Sequence, residues 1–360
     1  MPQAAILDLT LEQLESTLAG WGEPPYRAQQ VWHHLFSRWA SSPDEMTDLP
    51  LPLRERLGRS FDFQLIRPLR ESGSGDGQTL KILYGLRDGA SIETVLMTYD
   101  RRQTACISTQ SGCAMGCVFC ATGQMGFGRN LSRGEILAQV LDLSRRLSRD
   151  ERRLSNIVVM GMGEPFHNYD ATLGAVDTLN HPEGMNFGAR RVTLSTVGIV
   201  PGIRRLAQEG RQINLAVSLH AASDDLRSRL LPVNRRYPLD VLLRACREYV
   251  QATRRRISFE WALIRGVNDD PAQASLLAQR LRGLLCHVNL IPLNPTREYE
   301  GSPSDRETAR AFLETLKAAG IPATVRLRRG LEIEAGCGQL ASTRMPPEGT
   351  GADPAPAGDP

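Results

Sequence analysis

Lysine is almost missing from this 360-residue chain. Lys81 and Lys317 are the only two, so arginine supplies 41 of the 43 basic residues. Against 40 acids the net charge is only +3, which excludes a polycation that binds nucleic acid by charge alone. Arginine still offers a planar fork suited to phosphate and to stacking on bases, although a GC-rich genome produces the same bias. The last fifteen residues hold Glu348, Asp353 and Asp359 and no base, and without them residues 1–345 carry +6. Doublets at Arg101-Arg102, Arg190-Arg191 and Arg235-Arg236, with the triplet Arg254–Arg256, permit a basic face for nucleic acid.

Cysteine is sparse as well. Seven residues, an odd number spread over this length, exclude a disulfide-stapled secreted scaffold. Met1–Thr10 has no cationic run ahead of an apolar stretch. A membrane span is also missing: the longest uncharged segment, Gln103–Gly128, is broken by Ser, Thr, Gln and five Gly. The expectation is a reducing cytoplasm, where clustered thiols serve metal binding or catalysis rather than structural bridges.

What is present has a clear order. Residues 1–60 read as a helical accessory module, with apolar spacing over Leu11–Leu18, Tyr26–Trp39 and Leu51–Leu57. His33 and His34 fall in that stripe as core or rim residues rather than ligands. Residues 61–98 carry strand patterns at Phe61–Leu65, Leu80–Tyr84 and Ser91–Met97, and read as a β-rich linker. From residue 99 to 345, β-branched runs alternate with amphipathic helices. Strands are expected at Thr104–Ser108, Asn156–Met162, Arg191–Ser195, Asn214–Leu219, Ile257–Leu263 and Val288–Leu293, with a last one at Thr324–Leu327. Helices are expected near Ser132–Leu147, Ala171–Leu179, Pro201–Gln208, Pro238–Ala252 and Pro271–Leu284. Ser132 with Glu135, and Ser304 with Glu307, have capping-box spacing. This α/β alternation implies a parallel sheet with helices outside it, either an open partial barrel or a doubly wound sheet. Residues 346–360 read as a disordered tail.

The most informative segment is the uncharged one, which holds Cys113, Cys117 and Cys120 directly after the first strand of the series. Three buried core thiols on a helix face would need a helix that Gly112, Gly116 and Gly123 oppose. Structural zinc would need Cys106 as a fourth ligand, yet Cys106 falls inside the strand. Three thiolates holding a 4Fe-4S cluster, with one iron left open, suit the segment best. A Gly-rich loop lets backbone amides donate to the sulfurs.

That arrangement resembles the radical S-adenosylmethionine (SAM) superfamily, which implies a partial (βα)6 barrel whose open iron chelates SAM. Ligand residues then belong at the carboxyl ends of strands. Gly163-Glu164-Pro165 ends the second strand and offers a carboxylate for an ammonium group. Ser195 ends the third, Ser218-Leu219-His220 the fourth and Asn294 the sixth, each a candidate SAM contact. For His220 a binding role, through its backbone, is preferred over proton donation. Cys246 and Cys286 read as core residues. Cys337 lies between glycines in an accessible loop, and Cys106 is fixed in a strand. Two thiols outside the cluster suit thiol chemistry.

Together with Glu93-Thr94-Val95 and the ending Cys337-Gly338-Gln339-Leu340, these motifs resemble the RlmN family of ribosomal RNA adenine carbon-2 methyltransferases, over nearly the whole chain. The carbon-8 family, Cfr, shares the radical logic and is the nearest alternative; a non-catalytic zinc-containing RNA-binding protein is the alternative of another class. The resemblance implies methylation of adenine 2503 in 23S rRNA and adenine 37 in tRNAs. It implies a 4Fe-4S cluster on Cys113, Cys117 and Cys120, and two SAM molecules per turnover. Cys337 would carry the methyl group, Cys106 would resolve the adduct as a disulfide, and Glu93 would accept a proton. As a strand residue alone, Glu93 reads as a solvated carboxylate. The resemblance further implies an external electron donor, a disulfide reductant and a monomer.

Overall fold

The structure, a computed structural model, describes residues 3–326 and 328–341. The expected tail at 346–360 and Leu327 lie outside the described residues. Ten strands form one sheet whose spatial order follows the chain: β1 (Ile66–Gly73), β2 (Thr79–Leu86), β3 (Ser91–Tyr99), β4 (Arg102–Cys106), β5 (Asn156–Val159), β6 (Val192–Thr196), β7 (Asn214–Ser218), β8 (Ile257–Leu263), β9 (Cys286–Pro292) and β10 (Ala323–Val325). From β4 to β10 every neighbour is parallel. β1 to β4 are antiparallel, because short turns such as that around Gly89 allow the chain to double back. The sheet is therefore mixed, and residues 61–98 supply three full strands of it instead of only linking into it.

Parallel pairing requires a crossover for each strand, and the amphipathic helices expected from the sequence supply it. Arg133–Ser148, Tyr169–Asn180, Val200–Glu209, Leu239–Thr253, Pro271–Leu281 and Arg306–Ala318 each follow one strand and precede the next. Ser132 and Glu135 do form the reciprocal capping box. The cap expected at Ser304 falls one residue later. Asp305 accepts from the Thr308 amide at 2.8 Å, while the Ser304 hydroxyl donates to Asp269 at 2.6 Å. A short helix at Asp224–Leu230, between β7 and Leu239, was not expected from the pattern. Its apolar face spans only Leu226 and Leu230, too few positions to establish a helical period.

At the N-terminus the helices Leu11–Ala19 and Tyr26–Phe36 pack on each other, and the short turn Ile6–Asp8 before them packs on the Arg133–Ser148 helix. Asp8 fastens this contact by accepting from the Gly134 amide at 2.6 Å. His34 is buried and pairs with Asp48, whereas His33 is exposed, so neither is placed as a ligand. At the far rim, β1 carries Pro68 and shifts register between Pro68 and Arg70. No helix among the described residues is long and apolar enough to cross a membrane.

Candidate active site

The carboxyl ends of β5 to β9 surround one cavity of about 170 Å³. Its lining includes Cys113, Cys117, Cys120, Glu164, Ser195, Ser218, His220, Asn294 and Cys337. Glu260 and Gly163 line it too. Residues from five strand ends and from both ends of the chain's second half thus meet in one place, as an incomplete barrel demands.

The cysteine loop is shaped by a small hairpin pairing Gln110–Gly112 with Phe127–Asn130. Gly112 has φ +76°, and a Cβ there would stand 2.1 Å from the Gly126 carbonyl oxygen. Only glycine closes the neck of this loop. Inside it, the Cys113 amide donates to Gly126 at 2.8 Å, and the Val118 amide reaches Leu230 at 3.1 Å. As free thiols two of them are hard to ionise: burial pushes Cys113 up to about 12 and Cys117 well above the usual range. No three His, Cys, Asp or Glu side chains among the described residues converge on a single metal ion. Cys113, Cys117 and Cys120 all line the one cavity, a donor set that fits an iron–sulfur cluster with one iron left open.

Glu164 is 3% exposed, and burial raises it to about 7. Its carboxylate accepts from the amides of Phe166 at 3.0 Å and Val197 at 2.8 Å. Its own amide donates to Gln110 at 2.8 Å. Gly163 makes this possible with φ +103°, since a Cβ there would fall 2.7 Å from Gln110 Cβ. His220, also at positive φ, accepts the Ala262 amide on Nδ1 at 2.8 Å, and burial lowers it to about 3. Burial disfavours its charged form, and the ring stands at the cavity wall. Ser195 and Ser218 are half-buried at the cavity wall.

Leu219 is the exception among the strand-end candidates. Its side chain is fully buried in the core, its amide donates to Glu260 and its carbonyl accepts from Arg227. It is absent from the cavity wall.

Asn294 joins the thiols to the barrel by donating to the Cys337 carbonyl at 3.0 Å, leaving its own buried Oδ1 without a partner. Cys337 is exposed at the surface yet lines the cavity, with the charges of Arg326 and Glu260 acting on its sulfur. Cys106 is buried beneath, and burial first, then the nearby Cys337 thiol, push it up to about 12. Both are free thiols. Cys246 and Cys286 are buried core residues.

Glu93 differs from its reading as a solvated carboxylate. It is 1% exposed, because its strand is covered on this face by the segment after Cys337. Sequence reasoning also missed three residues. Glu260, 5% exposed, accepts from Asn289 at 2.8 Å and keeps Oε2 unpartnered beside the cavity. Arg227, fully buried, donates to the carbonyls of Val197, Ser218 and Leu219 and so holds the ends of β6 and β7 together. Lys81 pairs with Glu93. A charged residue inside an apolar strand was the only sequence trace of Glu260 and Lys81.

A nucleoside with an amino-acid arm and an iron–sulfur cluster fit this donor set. Three thiols and a buried carboxylate share the wall with two orphaned buried acceptors, Glu260 Oε2 and Asn294 Oδ1.

Comparison with known proteins agrees with this geometry. Residues 107–277 match the radical SAM superfamily, and residues 4–62 match the ribosomal RNA large subunit methyltransferase N-terminal domain. Dual-specificity RNA methyltransferase RlmN 1 of Myxococcus xanthus is 52% identical over 94% of this chain and 95% of its own length. A probable dual-specificity RNA methyltransferase RlmN of Chloroflexus aurantiacus is 50% identical, covering 97% of this chain and 96% of its own. The crystal structure of a radical SAM methyltransferase from Sphaerobacter thermophilus superposes with a TM-score of 0.92 at 54% identity, covering 94% of this chain and 99% of that one. The chain belongs to the RlmN family of dual-specificity RNA methyltransferases, within the radical SAM superfamily.

Proposed function

We propose that this enzyme methylates carbon 2 of adenine in ribosomal RNA, at adenine 2503 of 23S rRNA, and in tRNAs at adenine 37. The observation that carries the reading is the placement of Cys337 on the wall of the cavity lined by Cys113, Cys117 and Cys120. Those three residues would hold a 4Fe-4S cluster, which with SAM supplies a one-electron route to a deoxyadenosyl radical.

The chain's own residues do the rest. Glu164 receives the ammonium group of SAM, and Ser195, Ser218, His220 and Asn294 orient it; Leu219 contributes by bracing Glu260 and Arg227. The Cys337 thiolate accepts a methyl group by nucleophilic displacement from one SAM, with sulfur as the nucleophile that adenine carbon 2 cannot be. Loss of a hydrogen atom from that S-methyl group, at the expense of a second SAM, leaves a methylene radical that adds to carbon 2. Glu93 accepts the carbon-2 proton, and the odd electron of the adduct would return to the cluster held by Cys113, Cys117 and Cys120. Cys106 then attacks the Cys337 sulfur, forming a disulfide as methyladenine leaves. An external electron donor and a disulfide reductant complete the cycle, in keeping with a reducing cytoplasm.

The test is anaerobic reconstitution followed by mass spectrometry of the modified nucleoside from ribosomal and transfer RNA. Methyl at carbon 2 supports the reading. Methyl at carbon 8 transfers the chain to the alternative regiochemistry, and a colourless protein with one zinc ends the radical reading.

A further inference from the structure

In a chain with two lysines, one is placed indoors. Lys81 in β2 is 6% exposed, and its Nζ stands 3.1 Å from Oε1 of Glu93 in the adjacent strand. The same ammonium donates to the carbonyl of Glu334 at 3.2 Å. The other Glu93 oxygen accepts the Ala341 amide at 2.9 Å. Glu334 and Ala341 flank Cys337 on either side. One buried ion pair therefore grips both shoulders of the segment that presents the methyl-carrying thiol.

We propose that Lys81 is the positioning residue that ties Glu93 to the Cys337 segment, and that Glu93 works as proton acceptor only with this cation beside it. The inference rests on the role given to Glu93 above. Its physical ground is the cost of an isolated buried carboxylate. Burial raises Glu93 above the ordinary carboxylate range, and Lys81 opposes this through its charge and its hydrogen bond. Arg70 on β1 is the other cation acting on it, and the Ala341 amide is the remaining donor. Taking Lys81 away leaves burial less opposed, so Glu93 keeps its proton to a higher pH and is available as an acceptor over a narrower range. An ammonium is a compact donor that can serve an oxygen of Glu93 and the Glu334 carbonyl together.

The experiment uses the full-length reconstituted enzyme with an RNA substrate and three variants: Lys81→Met, Lys81→Arg and Glu93→Gln. Intact mass reports the methyl group on Cys337, a denaturing gel reports the RNA-linked protein, and nucleoside analysis reports the product. Lys81→Met is expected to load Cys337 and form the RNA-linked band. Release from that band should slow by about tenfold or more at pH 7, one unit of proton affinity being tenfold in ionised fraction, and recover toward pH 9. Lys81→Arg keeps the charge and is expected to release faster than Lys81→Met. Release by Lys81→Met at the wild-type rate while Glu93→Gln stalls overturns the Lys81 inference alone. Slow release that no rise in pH restores overturns it too. Wild-type release by Glu93→Gln overturns the proton-acceptor reading and the inference with it. Should Lys81→Met not fold, Lys81→Gln stands in for it: its release profile should shift to higher pH, and an unmoved profile overturns the inference.

Discussion

The amide of Ala121 donates to the carbonyl of Gly338 at 2.7 Å, so the residue after Cys120 and the residue after Cys337 share one backbone bond. Beside it the Thr122 hydroxyl donates to the Leu340 carbonyl at 2.6 Å, in a buried setting. The loop with three sulfurs and the segment with the fourth are stitched together. Thr122→Val keeps the shape and removes the donor, leaving a buried carbonyl unpaired at a cost of about 1–3 kcal/mol. Methylation of RNA is expected to fall several-fold while iron content per chain stays at the wild-type value. Iron and product measured on the same preparation check this.

The two outer thiols are expected to fail at different steps. Cys337→Ala should abolish transfer to RNA yet still cleave SAM reductively. Cys106→Ala should load Cys337 and then stall with RNA covalently attached, visible as a shifted band on a denaturing gel. Product formed by Cys337→Ala, or no band with Cys106→Ala, would contradict the relay.

Glu164 gives a pH dependence with a definite sign. Its folded value of about 7 lies above the ordinary 4.5, so between these limits the folded chain holds a proton that the unfolded chain has released. This group's contribution to stability therefore falls as pH rises through that window, by up to about 3 kcal/mol. The charged form, favoured above pH 7, is the one that receives an ammonium group. The ligand-free protein should lose more stability from pH 5 to pH 8 than Glu164→Gln does, in paired urea titrations. Affinity for SAM in calorimetry should rise over the same range in the wild type and stay flat in the variant.

Gly112→Ala tests the neck of the cysteine loop. A Cβ at 2.1 Å from a carbonyl oxygen cannot be accommodated by a rotamer change, and the positive φ adds strain. The hairpin is expected to open, with loss of most iron after reconstitution and a drop in melting temperature. Iron content and the visible absorption of the purified variant report the outcome.

Much of the fold was legible in the sequence because it depends on local rules. Alternating β-branched runs and amphipathic helices place the parallel strands within a few residues, and Ser132 and Glu135 announce their helix. The glycines around Cys113–Cys120 mark a loop by residue type alone. The misses share one physical cause: they depend on partners far away in the chain. Glu93 reads as solvated until Ala341, 248 positions on, covers it. Ser304 has the spacing of a cap but is taken by Asp269. Arg227 and Glu260 are charges whose burial is compensated or left open by strands that only the assembled sheet brings near. Leu219 sits between two true wall residues, and nothing in a sequence indicates that its own backbone groups are already spent.

The rim at β1 has a consequence for how copies of this chain can meet. Proline at position 68, the slipped register beside it and the exposed Arg67, Arg70 and Glu71 interrupt the row of groups that another strand would have to match. The opposite rim, β10, is only three residues long. Neither border templates fibril-like stacking, so any self-association must proceed through side-chain surfaces and remain tunable by salt and single substitutions.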